Sequence, residues 1–275
     1  MDTADCTIPF VSPAALRELV GSSRAPLIID VRKPGAFASD PRVIVGAIRR
    51  AHDSVEAWSP GLPDGLPIVA YCVHGHEVSQ SAVRDLRARG MDARLLEGGI
   101  AAWQAAGMPT YRADALPGLP GDSPSRWVTR ERPKIDRIAC PWLVRRFIDP
   151  LAEFLYVPTE QVIVRAEAEQ AIPYDVPRVR FSHRGERCTF DAMLQDFDLH
   201  DAALDALATI VRGADTARLE LAPQSPGLLA VSLGLSVLYP DDHEMLAKGL
   251  VVYDALYAWL RSAQDEVHNA ALFRQ

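Results

Sequence analysis

Cys72 stands between a short apolar run and a helical pattern, within the stretch Tyr71-Cys72-Val73-His74-Gly75-His76-Glu77-Val78-Ser79. The run from Leu66 to Ala70 predicts a buried strand, and the pattern from Ser81 to Arg89 predicts a helix. At such a junction the N–H groups of the loop and of the helix N-terminus surround the sulfur with partial positive charge. This environment favours the thiolate, which is the reactive form of cysteine.

The loop residues are the candidate substrate-binding groups, namely Val73, His74, Gly75, His76, Glu77 and Val78. We expect Gly75 to let the backbone turn its amides towards the sulfur. The imidazoles could steer an anionic ligand or simply be solvated. Glu77 would repel such an anion if it faced the sulfur. A cysteine phosphatase would need an arginine at position 78, so valine there argues against phosphoryl transfer. The alternative for Cys72 is an inert core thiol.

Two further segments strengthen this interpretation of the first half. They read Leu27-Ile28-Ile29-Asp30-Val31-Arg32 and Leu95-Leu96-Glu97-Gly98-Gly99-Ile100-Ala101-Ala102-Trp103, the second followed by Gly107-Met108-Pro109. Together with the Cys72 loop they resemble the rhodanese (thiosulfate sulfurtransferase-like) family. The resemblance implies that Cys72 takes a persulfide from a sulfane-sulfur donor and passes it to a thiol or cyanide. It also makes Asp30 structural and Arg32 a candidate source of positive potential near the pocket.

The two halves differ in pattern. Residues 1–110 alternate strand-like and helix-like segments, which predicts an α/β domain with a mainly parallel sheet flanked by helices. Residues 111–125 are rich in proline and glycine and predict a linker that few tertiary contacts cross. Residues 126–275 predict a mostly α-helical domain with short strands at Phe154–Val157 and Val179–Ser182. The predicted helices are Pro141–Ile148, Phe190–Asp196, Ala202–Arg212, Gly227–Ser236 and Asp242–Ser262.

The second half resembles the C-terminal domain of the chromate-resistance (ChrB-like) family. The similar stretches include 126–130, 134–149, 188–191, 210–215, 241–244 and 252–257. This resemblance implies a role in chromate resistance and suggests a stress sensor that binds chromate, another oxyanion or a metal. Such a sensor is our alternative to a sulfurtransferase.

Several residues of the second half could bind such a ligand. Because proline favours the first position of a helix, Cys140 is predicted to cap the helix that Pro141 begins. The oxyanion candidates are Arg137, Cys140, Arg145 and Arg146, and the metal candidates are His183, Cys188 and His243. The alternatives are packing or capping roles, with Asp241 to Glu244 forming a capping box. The last helix is predicted to bury Val251, Val252, Ala255, Leu256, Trp259 and Leu260.

Composition sets limits on function. The 275 residues predict two domains, and the net charge of −7, without a long basic run, argues against a nucleic-acid partner. The chain has no apolar stretch typical of a membrane span and no signal-like start, and its cysteines at 6, 72, 140 and 188 lack disulfide spacing. We therefore expect a cytoplasmic protein without a membrane partner, and we expect no cofactor. The rhodanese resemblance implies a small sulfane-sulfur donor and a thiol acceptor. A Glu77 that faced the sulfur would favour a persulfide over thiosulfate as the donor.

Overall fold

The computed structural model describes residues 8–116 and 123–266. Its first half contains strands β1 (Phe10–Val11), β2 (Leu27–Asp30), β3 (Arg42–Ile44), β4 (Ala47–Arg49), β5 (Ile68–Tyr71), β6 (Ala93–Leu96) and β7 (Thr110–Arg112). The helices of this half are α1 (Pro13–Leu19), α2 (Pro34–Ser39), α3 (Val55–Trp58), α4 (Glu77–Ala88) and α5 (Gly99–Ala105). Strands and helices alternate along much of this half, as the sequence predicts.

Five of these strands form a parallel sheet in the order β1-β6-β5-β2-β4. All four residues of β2 and of β5 are buried, because helices cover both faces of the sheet. Leu27 and Ile29 join a cluster with Val83 and Leu86 of α4, whereas Ile28 enters a larger core on the other face. The predicted α/β class is confirmed, and Cys72 lies at the carboxyl end of β5.

The second half is mostly helical. Its helices are α6 (Asp136–Leu143), α7 (Val162–Glu169), α8 (Thr189–Asp196), α9 (Ala202–Asp215), α10 (Ser225–Leu238) and α11 (Asp242–Ser262), and a π-helical turn at Val144–Ile148 extends α6. Strands β8 (Arg126–Arg130), β9 (Glu153–Val157) and β10 (Ile172–Pro173) form a small parallel sheet in the order β10-β8-β9. The predicted class of this half is also confirmed.

The two halves share one hydrophobic core. It contains Val20 and Trp103 of the first half together with Trp142, Phe147 and Tyr257 of the second, all nearly inaccessible to solvent. Polar contacts cross the same boundary: the Gly46 N–H donates to the Phe147 carbonyl at 2.7 Å, Arg17 pairs with Asp201 at 2.6 Å, and the Tyr111 hydroxyl donates to the Ile148 carbonyl at 3.2 Å. The expectation that few contacts connect the halves is therefore wrong.

The predicted linker, 111–125, is correspondingly shorter than the sequence suggests. Tyr111 and Arg112 belong to β7, which pairs with β3, and the side chain of Tyr111 is fully buried. The β8 strand begins immediately after Ser125, which is itself buried. Residues 117–122 of the predicted linker lie outside the described residues.

The helix around Cys140 begins earlier than predicted. It starts at Asp136, after Ile135 in a positive-φ conformation, and Pro141 lies inside it. Because proline has no N–H, it cannot donate to the Arg137 carbonyl, and the Tyr174 hydroxyl approaches that oxygen at 3.5 Å instead. Cys140 is consequently a fully buried residue within the helix and not its N-cap.

Two smaller expectations also need correction. Residues 179–182 form no strand, and Phe181 makes an isolated bridge to Tyr174. The last helix has the predicted bounds, and Asp241 caps it by accepting from the Glu244 N–H at 2.8 Å. Its fully buried face, however, is rotated from the predicted one and consists of Met245, Leu246, Gly249, Leu250, Tyr253 and Tyr257. Val251, predicted to be core, is 64% exposed.

No helix in the described parts of the chain combines the length and apolar character needed to cross a membrane.

Candidate active site

The Cys72 loop connects β5 to α4 and is held in place by the N-terminus of α5. The N–H groups of Ile100 and Ala101 donate to the carbonyls of Cys72 and Val73, both at 3.0 Å. The two ends of a planar trans peptide group point in opposite directions, so the His74 N–H, which adjoins the Val73 carbonyl, faces away from α5 and hydrogen-bonds to Cys72. Gly99 permits this contact, since a Cβ at that position would lie 2.4 Å from the Cys72 carbonyl oxygen.

Ser79 is the polar side chain in direct contact with the sulfur. Its hydroxyl donates to Cys72 Sγ at 3.0 Å from the first turn of α4, and the serine is fully buried. Burial raises the pKa of the Cys72 thiol, whereas hydrogen bonds from the Ser79 hydroxyl and from backbone groups of Ser79, His74 and His76 lower it. The result is a pKa below the usual value, so the loop stabilises the thiolate.

The role of Ser79 was not predicted from the sequence, although a signal was present. A serine in the first turn of a helix that follows a loop cysteine can aim its hydroxyl back at the sulfur. Only the fold shows that this serine is the one whose side chain lies on the loop face of α4.

The other loop residues differ in their exposure to solvent. His74 and His76 are exposed, with ring centroids 5.8 Å apart. Val73 and Val78 are half-buried, and Gly75 is buried with a φ of 72°, the positive-φ turn that the sequence predicts. The side chain of Glu77 is 80% exposed and pairs with Arg84 of α4 at 2.8 Å. Its carboxylate therefore interacts with the outer face of the helix, and Cys72 itself is only 6% exposed.

Arg32 forms part of a buried network below the loop. Its guanidinium binds both carboxylate oxygens of Asp30 at 2.6 to 3.0 Å and donates to the Asp40 and Arg42 carbonyls. The Tyr71 hydroxyl also donates to Asp30, at 3.1 Å. Because the charge of Arg32 is balanced by Asp30 and its side chain is 1% exposed, Arg32 fastens the end of β2 to residues 40–42. It does not supply the free positive potential expected from the sequence.

The four oxyanion candidates of the second half do not form a common site. Arg146 pairs with Asp254 at 2.8 Å, Arg137 lies 3.4 Å from Asp175, and Arg145 stacks over Phe154. Cys140 is inaccessible to solvent, and burial raises its pKa well above the usual value. The prediction for Arg137, Cys140, Arg145 and Arg146 is therefore wrong as a single binding site.

The three metal candidates are also separated. Cys188 is buried, caps α8 and has a pKa raised by burial, while the His243 ring packs on Tyr156 with centroids 5.5 Å apart. His183 instead lies among Asp136, Asp175 and Asp215, whose hydrogen bonds raise its pKa to about 12. The set of His183, Cys188 and His243 is thus not a site. The carboxylates around His183 come from distant parts of the sequence, and no local spacing points to them.

Comparison with known proteins matches each half separately. Residues 12–106 match the family model of the rhodanese-like domain, and residues 127–260 match that of the ChrB C-terminal domain. The protein ChrB of Cupriavidus metallidurans is 34% identical over 155 residues, covering 53% of this chain and 46% of that protein. The chain thus spans less than half the length of this curated relative.

Solved structures are similar to part of the chain. A rhodanese-related protein from Thermoplasma volcanium is 25% identical and covers 37% of this chain and 96% of its own, with a TM-score of 0.33. A rhodanese-like domain protein from Staphylococcus aureus is also 25% identical and covers 35% of this chain and 91% of its own, with a TM-score of 0.32.

Proposed function

We propose that this chain, which joins a rhodanese-like domain to a ChrB C-terminal domain, is a sulfurtransferase that carries a persulfide on Cys72. The contact between the Ser79 hydroxyl and Cys72 Sγ at 3.0 Å is the observation that carries the proposal. It adds a hydrogen bond to those of the backbone amides and lowers the pKa of a nearly buried thiol. Packing alone gives no reason to stabilise a thiolate at this point.

The first half-reaction is an attack of the Cys72 thiolate on the sulfane sulfur of the donor. A bond forms between Cys72 Sγ and that sulfur, the sulfur–sulfur bond of the donor breaks, and its electron pair leaves with the remaining thiolate. With thiosulfate as donor, the leaving group is sulfite. The enzyme then holds a cysteine persulfide whose terminal sulfur is stabilised by the inward-facing N–H groups of the loop.

The second half-reaction returns the enzyme to its starting state. A thiolate or cyanide acceptor attacks the terminal sulfur, the bond from that sulfur to Cys72 Sγ breaks, and Cys72 leaves as a thiolate. The same hydrogen bonds that lower the pKa of Cys72 make it a good leaving group. No external oxidant or reductant is required, because the two half-reactions only transfer the sulfane sulfur from donor to acceptor.

The charge of the loop favours a persulfide donor over thiosulfate. The stretch from Cys72 to Val83 contains no arginine or lysine, and nearby Arg84 is already paired with Glu77. No lysine or arginine of the loop would attract a dianion such as thiosulfate, whereas the reacting end of a low-molecular-weight or protein persulfide carries at most one negative charge. We propose such a persulfide as the donor and a thiol as the acceptor.

The second domain places this activity in a wider context. Similarity to ChrB supports a role in chromate resistance, and the free thiols of Cys72, Cys140 and Cys188 fit a reducing compartment such as the cytoplasm. The alternative, an oxyanion or metal sensor with an accessory rhodanese fold, is less well supported, because Arg137, Cys140, Arg145 and Arg146 do not converge. Direct nucleic-acid binding is not part of the proposal.

The proposal is tested by the intact mass of the full chain after exposure to glutathione persulfide or, separately, to thiosulfate. We expect a mass increase of one sulfur atom, located on Cys72 by peptide mapping and removed by a thiol acceptor. Cys140→Ser serves as the matched control because its thiol is fully buried. A chain that gains no sulfur from either donor, or gains it equally in Cys72→Ser, would contradict the assignment.

A further inference from the structure

The second half contains a cluster of one imidazole and three carboxylates, far in sequence from the Cys72 loop. Asp136 is the first residue of α6, Asp175 follows β10, and Asp215 is the last residue of α9. His183 lies in the segment before α8 and directs Nε2 at all three aspartates. The sulfur chemistry proposed for Cys72 makes no use of this cluster.

The distances from His183 to the three carboxylates are those of ligands around a single cation. His183 Nε2 lies 3.5 Å from Asp136 Oδ2, 3.5 Å from Asp175 Oδ1 and 3.1 Å from Asp215 Oδ2. Donor atoms bound at about 2.1 Å to one metal, in tetrahedral or octahedral geometry, stand about 3.0–3.5 Å apart. An N–H···O hydrogen bond usually spans about 2.7–3.2 Å, so the two 3.5 Å separations are long for direct bonds.

Independent contacts fix the carboxylates from behind. Asp136 is inaccessible to solvent, and its oxygens accept from the Thr189 and Phe190 N–H groups at 2.6 and 3.2 Å. Asp175 accepts from the Thr189 hydroxyl at 2.8 Å and from Arg130 at 3.0 Å. Hydrogen bonds behind the ligands are the usual means by which a protein orients a metal-binding group. A buried carboxylate is further stabilised by a cation nearby, a role that a bound metal ion would fill.

We propose that Asp136, Asp175 and His183 form a binding site for a divalent first-row transition metal, with Asp215 as an accessory carboxylate. The donor atoms of Asp136, Asp175 and His183 all lie within 4.8 Å of one another. The imidazole distinguishes the site from an all-oxygen calcium site, and the lack of a thiolate among the donors distinguishes it from soft-metal sites. His183 is 41% exposed, so the coordination positions beyond the three protein donors face solvent and can hold water or an oxygen ligand.

A protonated His183 is the competing explanation, since an imidazolium would balance the same carboxylates. Metal binding is therefore measured directly on the full chain after chelator treatment, by equilibrium dialysis against Zn²⁺ and, separately, Mn²⁺. We expect one of these ions to bind at one per chain and to raise Tm. His183→Gln should weaken binding at least tenfold. It is a better test than Asp136→Asn, because Asp136 also anchors α8 and its replacement threatens folding.

His200→Gln is the matched control, because His200 also contacts an aspartate, Asp198 at 2.8 Å, but lies 80% exposed. It should bind metal as the wild type does, as should His243→Gln. Loading with Co²⁺ should give a spectrum without a thiolate-to-metal charge-transfer band, since the donors are oxygen and nitrogen. Failure of the wild type to bind either ion, equal binding by His183→Gln, or a thiolate band would overturn the proposal.

Discussion

Cys72 and the cysteines of the second half show how one side chain acquires opposite properties in two regions of a molecule. All three are buried, with Cys72 at 6% exposure and Cys140 and Cys188 at 0%. Burial raises the pKa of each thiol, but hydrogen bonds reverse the effect at Cys72 alone among them. Near Cys140 and Cys188 the negative charge of Asp136 raises the pKa further.

The difference is therefore set by the groups that face the sulfur. At Cys72 the groups that lower the pKa are N–H groups and a hydroxyl, positioned by the loop and the first turn of α4. Cys140 is a residue within α6, and its side chain belongs to the hydrophobic core that both halves share. Donors directed at a buried sulfur therefore favour the thiolate, whereas apolar groups and carboxylates around it favour the neutral thiol.

The largest expected effect is the loss of sulfur transfer in Cys72→Ser. The hydroxyl that replaces the thiol is nearly isosteric but a far weaker nucleophile, so transfer should fall to background while the far-UV circular dichroism spectrum stays unchanged. Cys140→Ser and Cys188→Ser should retain transfer per folded molecule, and both are measured with the same donor. Residual transfer at the wild-type rate in Cys72→Ser would place the nucleophile elsewhere.

The Cys72 site illustrates what the sequence predicts well. Strand, loop cysteine and helix are adjacent in the chain, so local pattern alone locates the sulfur at the end of β5. The roles of Arg32 and Glu77 could not be predicted in this way, because their partners Asp40, Arg42 and Arg84 depend on how the loops pack and how α4 is oriented. The cluster around His183 depends entirely on tertiary structure, since its aspartates lie at positions 136, 175 and 215.

Phe147→Ala should have the next largest effect. It tests whether the two halves, whose cysteines differ in pKa, unfold as one unit with a shared hydrophobic core. The ring is fully buried, 5.3 Å from the Tyr257 ring, and packs directly on Gly21 of the first half. Truncating a core phenylalanine costs about 3–5 kcal/mol in the free energy of unfolding. If the halves unfold together, circular dichroism and the alkylation of Cys72 should report the same lowered midpoint in urea.

Val164→Ala is the control for Phe147→Ala, because Val164 is 69% exposed on α7 and should change the midpoint little. Two separate transitions, with the Cys72 loop unaffected by Phe147→Ala, would show that the halves are independent. So would a fragment of residues 1–110 as stable as the whole chain. The sequence alone predicts independent halves, because its proline- and glycine-rich stretch suggests a linker. It does not reveal that apolar faces of the two halves pack against each other.

Ser79→Ala should have an intermediate effect on reactivity. A hydrogen bond to a charged group contributes about 1.5–3 kcal/mol, which corresponds to an increase of about one to two units in the pKa of Cys72. The thiolate fraction at neutral pH should fall accordingly. Part of the rate is regained because a more basic thiolate is a better nucleophile, so we expect alkylation to slow roughly three- to tenfold.

The pH profile separates this electrostatic role of Ser79 from a structural one. The wild-type pKa is the lower of the two, so the defect should be largest below it, shrink between the two pKa values and disappear above the variant's pKa. At that pH both sulfurs are thiolates, and Ser79→Ala should react at least as fast as the wild type. Ser79→Thr, which keeps the hydroxyl, should restore the wild-type profile. A defect of equal size at every pH would indicate a displaced loop.

Glu77→Gln should have the smallest effect, although Glu77 adjoins the loop that carries the sulfur. From sequence alone, removing its charge would improve thiosulfate affinity if the carboxylate faced the pocket. The side chain is instead 80% exposed and paired with Arg84, and solvent screens a charge so placed. We therefore expect the apparent affinities for thiosulfate and for a persulfide each to change less than about twofold. Arg84→Gln, which breaks the same ion pair from the other side, is the matched variant. A gain in thiosulfate affinity confined to Glu77→Gln would mean that the carboxylate reaches the sulfur during turnover. Cys72 would then also have an acidic neighbour, as Cys140 and Cys188 do, and the contrast between the two regions would be weaker than the structure indicates.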